Sequence, residues 1–249
     1  MAVKNYYTAR KTKLLKDFDK TAALVRSYLV SRYGPDFSDT LYRDARYEYG
    51  SLIPEIPYIE GMRGRMLNAF LLITAQEVAL YKAMKKGNKP IEEAWEICHT
   101  ALKLRMARYS KIKCWLIRSI MFSGSLKRRM RKLAAEGNQY KFGDFEIRYV
   151  FDNRGEFDFG VDYLACGNYK FAIDHGAEEF APFVCMSDIA LSDAMGWGLT
   201  RTETLADGCK RCDFRFKKGG RTLISSKAPD VQATIAGILD KETSEITDS

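Results

Sequence analysis

Cysteine is concentrated in the second half of the chain. Four of the six cysteines fall within 47 residues, at Cys166, Cys185, Cys209 and Cys212. The CxxC spacing of Cys209 and Cys212 is typical of zinc ligands, and Cys166, Cys185 and His175 could supply the remaining ligands. Free cysteine is also a common small, buried apolar residue in proteins without metal. We therefore expect no cofactor, with zinc as the alternative.

Polar side chains of another kind lie beside these cysteines. They are Asp188, Arg201, Thr204 and Asp213, and three of the four fall on predicted strands or at strand ends. The planar guanidinium of Arg201 matches a carboxylate in a bidentate hydrogen bond. Asp188 or Asp213 could bind an amidinium group, or act as a general base if burial raises its pKa. The alternative is an internal ion pair between Arg201 and one aspartate that orders the sheet.

Histidine is scarce, with His99 and His175 as its two occurrences. His99 falls in a helical region, so a Ser-His-Asp or Cys-His-Asn arrangement would use His175. The alternative for His175 is an exposed or capping side chain beside Gly176. The sequence has no P-loop, dinucleotide-binding fingerprint or GxSxG motif, which leaves nucleotide and serine-hydrolase chemistry without support.

Hydrophobic periodicity divides the chain into two regions, residues 1–135 and 136–249. The first region has the 3–4 spacing of helices, which we predict at residues 11–33, 38–49, 66–86 and 91–106. Pro54 and Pro57 predict an extended connection after the second helix. The second region alternates apolar and polar residues, as half-buried strands do.

We predict strands at residues 140–152 and 156–166, joined as a hairpin by the DNRG turn, and further strands at 198–206 and 212–216. Residues 168–180 have a helical pattern, whereas 182–193 are short and mixed. The expected fold class is therefore α+β, with a helical first half packed against an antiparallel sheet that carries one or two helices.

The positive charge of the chain is local. Residues 97–135 contain 11 lysines and arginines, between 103 and 132, and no acidic residue, whereas the net charge of the whole chain is +8. A solvated helix face is the favoured interpretation, and contact with nucleic acid or an anionic membrane is the alternative. The apolar stretch 114–122 fits either a membrane interface or a buried helix. A homo-oligomer also remains open.

The first 20 residues lack the apolar core and cleavage site of a signal peptide. We therefore expect a cytoplasmic protein whose cysteines are reduced thiols.

Several separated motifs of the second half resemble the L-2-amino-thiazoline-4-carboxylate hydrolase family. They are the Cys166-Gly167 pair, the segment GAEEFAPFVCMSD and the ending RTETLADGCKRCDFRF. The segments IPYIEG and ALYKAMKKGNKPIEEAWEI of the first half are similar to the helical region of that family. The resemblance covers residues 40–216.

This resemblance implies hydrolysis of a C–N bond in a small cyclic amidine that carries a carboxylate. It implies a carboxylate site at Arg201, an amidine site at Asp188 or Asp213, and attack by the Cys185 thiolate or by an activated water. We predict catalytic roles and substrate contacts for seven residues. The catalytic set is Cys185, Asp188, His175 and Asp213, and the substrate contacts are Arg201, Thr204 and Cys166.

The last of these segments, RTETLADGCKRCDFRF, is also similar to the 4-vinyl reductase domain, a small-molecule-binding module. In that module a glutamate and a cysteine before the final cysteine bind zinc. When Cys212 is aligned with the final cysteine, Arg201 and Thr204 fall where those ligands would stand. This departure weakens the zinc interpretation, and it leaves a non-catalytic binding or sensor protein as the rival hypothesis.

Overall fold

The computed structural model describes residues 6–137, 139–152 and 154–247, without the side chains of residues 62, 63 and 239–247. Helices occupy the first part of the chain: α1 (Lys11–Tyr33), α2 (Pro35–Leu52), α3 (Gly61–Lys86), α4 (Ile91–Ala107), α5 (Lys111–Met121) and α6 (Gly124–Ala135). A sheet and shorter helices follow: β1 (Tyr140–Phe142), β2 (Phe145–Val150), β3 (Phe159–Ala165), α7 (Gly167–Asp174), α8 (Ala181–Met186), α9 (Asp188–Met195), β4 (Leu199–Arg201), β5 (Cys212–Phe216), β6 (Leu223–Ile224) and α10 (Pro229–Thr247). The α+β prediction is confirmed.

Helix α2 begins earlier than the sequence pattern predicts. Pro35 stands in its first turn, where the missing N–H and fixed φ of proline suit a helix start. Ser38, where the predicted helix begins, lies inside the helix and donates a hydrogen bond to the carbonyl oxygen of Gly34 at 2.7 Å. After α2, residues Ile53–Glu55 form one 3₁₀ turn, so the connection predicted as extended is partly helical.

The six strands form one sheet in the order β1-β2-β3-β5-β4-β6. Its pairs are antiparallel except for β4 and β6, which run parallel. The predicted pairing of β2 with β3 is confirmed, and Asn153 of the intervening turn lies outside the described residues. The stretch predicted as a single strand over 140–152 is instead a hairpin, because Gly143 adopts a φ of 59° and turns the chain between β1 and β2.

The segment between β3 and β5 was predicted least well. The helix predicted over 168–180 ends at Asp174, and residues 181–195 form the two helices α8 and α9 rather than a mixed segment. Pro182 is compatible with this because it occupies the first turn of α8. Strand β4 has three residues instead of the predicted nine, since the side chain of Asp213 binds the backbone N–H groups of Thr202 and Glu203.

Two apolar cores hold these elements together. The larger core joins the helices α1–α4 to α7 and α8, and it includes Trp95, Tyr49 and Phe180. The second core lies between the sheet and helices α4, α6 and α9, and it includes Leu199 and Phe216. Both parts of the chain therefore share buried contacts, and these hold helix α8 in the larger core and most of helix α9 in the second.

Helix α5 covers most of the apolar stretch 114–122, but one of its faces is open to solvent. Trp115, Leu116 and Ile120 are exposed, and so is Ile112 in the first turn of the helix. The interpretation of this stretch as a buried helix is therefore wrong. None of the described helices is long and apolar enough to cross a membrane.

Candidate active site

Helix α9 and strand β4 bring an acidic and a basic side chain together. Asp188 is the first residue of α9, where the positive end of the helix dipole favours a carboxylate. Arg201 ends β4 on the same side as Leu199, and both are about 99% buried. Nη1 of Arg201 donates a hydrogen bond to the Asp188 carboxylate. Nη2 lies 3.8 Å from the sulfur of Met186.

Burial sets the electrostatics of this pair. Desolvation raises the pKa of Asp188 above its ordinary value, and the charge of Arg201 opposes that rise. Burial alone would lower the pKa of Arg201, but the combined effect of Asp188 and the other acidic groups nearby, Asp207 among them, outweighs it and raises that pKa. The guanidinium carbon also lies 5.3 Å from the ring centre of Phe214. In the described part of the chain Nε of Arg201 has no hydrogen-bond partner, so one donor of the guanidinium is unused.

Three thiols surround the ion pair. Cys166 precedes α7, Cys185 lies on α8 and Cys212 begins β5. They interact electrostatically with one another and with Asp188. The structure thus brings Cys166, Cys185, Asp188 and Arg201 of the predicted set together, and it adds Cys212, which the sequence suggested only as a metal ligand.

Burial keeps these thiols protonated. It raises the pKa of Cys166 to about 12, although the backbone N–H groups of Asn168 and Tyr169 oppose the rise. It also raises the pKa of Cys212 to about 12. The pKa of Cys185 rises as well, because the nearby charge of Arg201 only partly offsets desolvation. A resting thiolate is therefore scarce at neutral pH, and attack by sulfur would need a base to remove the proton.

Two further residues lie near this site, and neither is among the functional residues that the sequence predicts. Tyr163 of β3 stands opposite Cys212 in the sheet register, and burial raises its pKa. Glu77 of α3 is 6% exposed and accepts a hydrogen bond from the hydroxyl of Ser187. Burial raises the pKa of Glu77 to about 8, with a smaller contribution from Asp188. The sequence holds one indication that Glu77 is buried. It is an acidic residue on the same face of α3 as the buried Thr74 and Tyr81.

The sequence model of the L-2-amino-thiazoline-4-carboxylic acid hydrolase family matches residues 66–216, which is more than half of the chain. The chain belongs to this family. The matched span runs from α3 to the end of β5 and contains the ion pair, the three thiols, Tyr163 and Glu77. No curated protein and no solved structure matches the chain.

Two residues predicted for the hydrolase site bind the neighbouring loop instead. Asp213 lies on the sheet face opposite Cys212, because successive strand residues alternate, and it accepts hydrogen bonds from Thr202 and Glu203. The hydroxyl of Thr204 donates to Asp207 at 2.8 Å and accepts from its N–H at 3.0 Å. Both residues therefore shape the loop between β4 and β5.

His175 lies at the far end of α7 from Cys166. Its Nδ1 hydrogen-bonds to the carbonyl oxygen of Phe171 at 2.8 Å, and its ring packs on the Phe171 ring with centroids 4.1 Å apart. These contacts correspond to the capping alternative, and they do not join His175 to the ion pair or to the thiols.

The CxxC pair is divided between two environments. Cys212 is buried, and its sulfur accepts a hydrogen bond from the N–H of Leu205 at 3.2 Å. Cys209 is paired with the side chain of Lys227 instead. Among the described residues, no group of three or more histidine, cysteine or acidic side chains is arranged to hold a metal ion.

Proposed function

We propose that the chain hydrolyses a non-peptide C–N bond in a small cyclic amidine that carries a carboxylate, as in the ring opening of L-2-amino-thiazoline-4-carboxylate. The observation that carries this proposal is the buried pair of Arg201 and Asp188, which three thiols surround within the span matched to the family. The pair offers a fixed cation and a fixed anion. A zwitterionic substrate with a carboxylate at one end and an amidinium at the other has the complementary charges.

Substrate binding would exchange partners within this pair. The substrate carboxylate takes hydrogen bonds from Arg201, whose Nε is unused in the free protein. The amidinium takes the place of Arg201 beside Asp188. The side chain of Asp188 is 22% exposed, whereas that of Arg201 is 1% exposed, so the substrate meets the carboxylate of Asp188 first.

Asp188 is the general base of this proposal. Its raised pKa makes it a better proton acceptor than an ordinary aspartate. The oxygen of a water molecule forms a bond to the amidine carbon while Asp188 takes one water proton. The ring C–N bond then breaks while the new hydroxyl group loses the second water proton and becomes the carbonyl oxygen. The released nitrogen receives both protons, and a carbamoyl-substituted amino acid results. Substrate and one water molecule balance the product.

Attack by Cys185 is the competing route within the same site. It requires Asp188 to remove the thiol proton first, and the raised pKa of Cys185 opposes that transfer. The two routes differ in their intermediate, since only sulfur attack leaves a covalent bond between the amidine carbon and the protein.

The test is to incubate the purified protein with L-2-amino-thiazoline-4-carboxylate and related cyclic amidines, and to follow ring opening by mass spectrometry. Turnover that survives in Cys185→Ala, without a protein adduct in the wild type, supports attack by water. Loss of turnover in Cys185→Ala, together with a trapped adduct in the wild type, would identify the Cys185 sulfur as the nucleophile in place of water. Tight binding without product across the whole panel contradicts the hydrolase proposal, and it supports the non-catalytic binding protein.

A further inference from the structure

Helices α1–α4 surround a cavity of about 350 Å³. Most of its wall is apolar, with Phe18, Val25, Leu41 and Ile97 among the side chains that form it. Cavities of this size hold small molecules in other proteins. Helices α1 and α2 precede the span that matches the hydrolase family, so more than half of the residues that form this wall lie outside that span. Among the described residues, none of the side chains that form this wall belongs to the ion pair or to the three thiols. Glu77 connects the cavity to that site, because it also contacts Ser187 beside the ion pair.

One buried polar group in the wall lacks a partner. Oε1 of Glu77 accepts a hydrogen bond from Ser187, whereas Oε2 is buried without a hydrogen-bond partner among the described residues. Because burial raises the pKa of Glu77 to about 8, the carboxyl group is mainly protonated at pH 7. Its O–H is then a buried donor without an acceptor, which is unfavourable.

We propose that this cavity binds a small, uncharged and largely apolar molecule whose single hydrogen-bond acceptor meets the unpaired carboxyl oxygen of Glu77. An apolar wall favours an apolar ligand body, and a neutral acid is complemented by a carbonyl or ether oxygen. A cationic ligand would bury an ion pair in the same wall, with a larger desolvation penalty. At the rim of the cavity, Arg26 and Asp39 already pair with each other at 3.2 Å.

Benzophenone and diphenylmethane form a matched pair of probes, because they share a shape and differ by a carbonyl group in place of a methylene group. We expect benzophenone to bind at least fivefold more tightly, since one hydrogen bond is worth about 1 kcal/mol. The preference should disappear above pH 9, where Glu77 becomes a carboxylate that cannot donate. Irradiated benzophenone should label residues of α1–α4, such as Ile73 and Leu80.

Two kinds of variant test the assignment. Glu77→Leu should abolish the preference for benzophenone, whereas Glu77→Gln should keep it because an amide N–H still donates. Ala101→Phe and Ala22→Phe fill the cavity from different helices, and either one that melts like the wild type should exclude both probes. Equal affinities for the two probes, no binding of either, or labelling outside α1–α4 would each overturn the proposal.

Helix α5 carries a second and independent inference. Its exposed side chains Ile112, Trp115, Leu116 and Ile120 follow 3–4 spacing, so they share one face of the helix. Their exposed fractions are 77%, 58%, 50% and 59%. A cluster of large apolar side chains of this kind marks an interaction surface. We call this cluster the α5 face.

Basic side chains accompany the α5 face. Lys111 and Lys113 are exposed on α5, and the following helix α6 adds exposed Arg128, Arg129, Arg131 and Lys132. Among the described residues, Lys127 is the one basic side chain of α5 and α6 that forms a salt bridge, with Asp158 at 2.9 Å. Two copies of the chain that met through the α5 face would bring these cations together, so self-association is disfavoured by like-charge repulsion.

We infer that the α5 face inserts into the interface of an anionic lipid bilayer, with the basic side chains at the level of the headgroups. An apolar face flanked by cations, with tryptophan among its residues, has the properties of a helix that lies in a membrane interface. Each lysine or arginine near the surface adds electrostatic attraction to anionic lipid.

Vesicles of phosphatidylcholine, with and without phosphatidylglycerol, test this inference. Trp95 and Trp197 are buried, so a shift of tryptophan emission on binding reports Trp115. We expect binding to the anionic vesicles that weakens as salt is added, and at least tenfold weaker binding to phosphatidylcholine alone. The variant Trp115→Ser/Ile120→Ser should lose binding, whereas the control Tyr47→Ser, which removes an exposed aromatic ring from α2, should retain it.

Several results would overturn this inference. They are equal binding to both kinds of vesicle, no binding to either, or unchanged binding of Trp115→Ser/Ile120→Ser. Concentration-dependent dimerisation that this variant abolishes, without vesicle binding by the wild type, would assign the α5 face to self-association instead.

Discussion

Ser187 donates a hydrogen bond to the buried carboxyl group of Glu77, and this contact joins helix α3 to the junction of helices α8 and α9. The next residue, Asp188, holds Arg201. A single polar contact therefore connects the wall of the helical cavity to the ion pair of the candidate active site. Substitutions that remove this contact should change the free energy of unfolding.

Ser187→Ala should destabilise the protein by about 1–3 kcal/mol, because it removes the hydroxyl that meets a buried carboxyl group. The pKa of Glu77 should also rise further, since the Ser187 hydroxyl lowers it in the wild type. Urea unfolding measures the first effect. Ser31→Ala is the matched control, because Ser31 is exposed and its hydroxyl donates to the backbone carbonyl oxygen of Tyr28 in its own helix. Equal stability of the two variants would contradict the importance of the contact.

The stability of the wild type should fall as pH rises through the range between the unfolded and folded pKa values of Glu77. The folded pKa of about 8 exceeds the ordinary value of 4.5, so the folded state binds more protons in this range. Glu77→Gln removes this dependence, and its stability relative to the wild type should increase from pH 5 to pH 8. Glu178→Gln, at an exposed residue, serves as the control. Parallel pH profiles for the wild type and Glu77→Gln would be incompatible with a neutral buried Glu77.

Arg201→Leu should destabilise the protein by about 3 kcal/mol or more, because it leaves the Asp188 carboxylate without its partner. The double variant Asp188→Asn/Arg201→Leu should recover part of that loss, since no unpaired charge remains. The exposed pair of Arg26 and Asp39 is the comparison, and its coupling should be about 0–1 kcal/mol. A double-mutant cycle in urea measures both couplings. Similar coupling energies for the two pairs would show that burial does not strengthen the interaction between Arg201 and Asp188.

Alkylation by iodoacetamide should be slow at Cys166, Cys185 and Cys212 in the folded protein at pH 8, since burial raises their pKa values and suppresses the thiolate. Unfolding in urea should bring these three cysteines to the rate of the other thiols. Peptide mass spectrometry gives the rate at each cysteine. Rapid alkylation of folded Cys185 would instead indicate an activated thiolate and restore the sulfur route.

The sequence pattern was sufficient for the long helices but not for the segment that carries the site. Helix α1 has the predicted bounds, and α3 ends where predicted, because their apolar spacing persists over many turns. Helices α8 and α9 have six and eight residues, and Pro182 lies in the first turn of α8, so the local sequence pattern shows no clear helical period. Their helical form depends on tertiary packing against α3 and α4.

The residues of the candidate site could also be predicted only in part. Arg201 and Asp188 were predicted from residue type, and their pairing was foreseen as one alternative. Asp213 is adjacent to Cys212 in sequence, but strand alternation places the two on opposite faces, which a consistent reading of the strand would have predicted. Glu77 lies more than 100 residues from Ser187 in sequence, so only the packing of α3 on the α8–α9 junction shows their contact.

The most direct test of the central claim is the rate of ring opening of L-2-amino-thiazoline-4-carboxylate by the wild type, Asp188→Asn and Asp193→Asn. Asp193 lies on the same helix as Asp188 but is exposed. If Asp188 is the general base, Asp188→Asn lowers kcat by about 10²–10⁴-fold while Asp193→Asn leaves it unchanged. Wild-type turnover that Asp188→Asn retains in full would contradict the assignment of this ion pair as the active site.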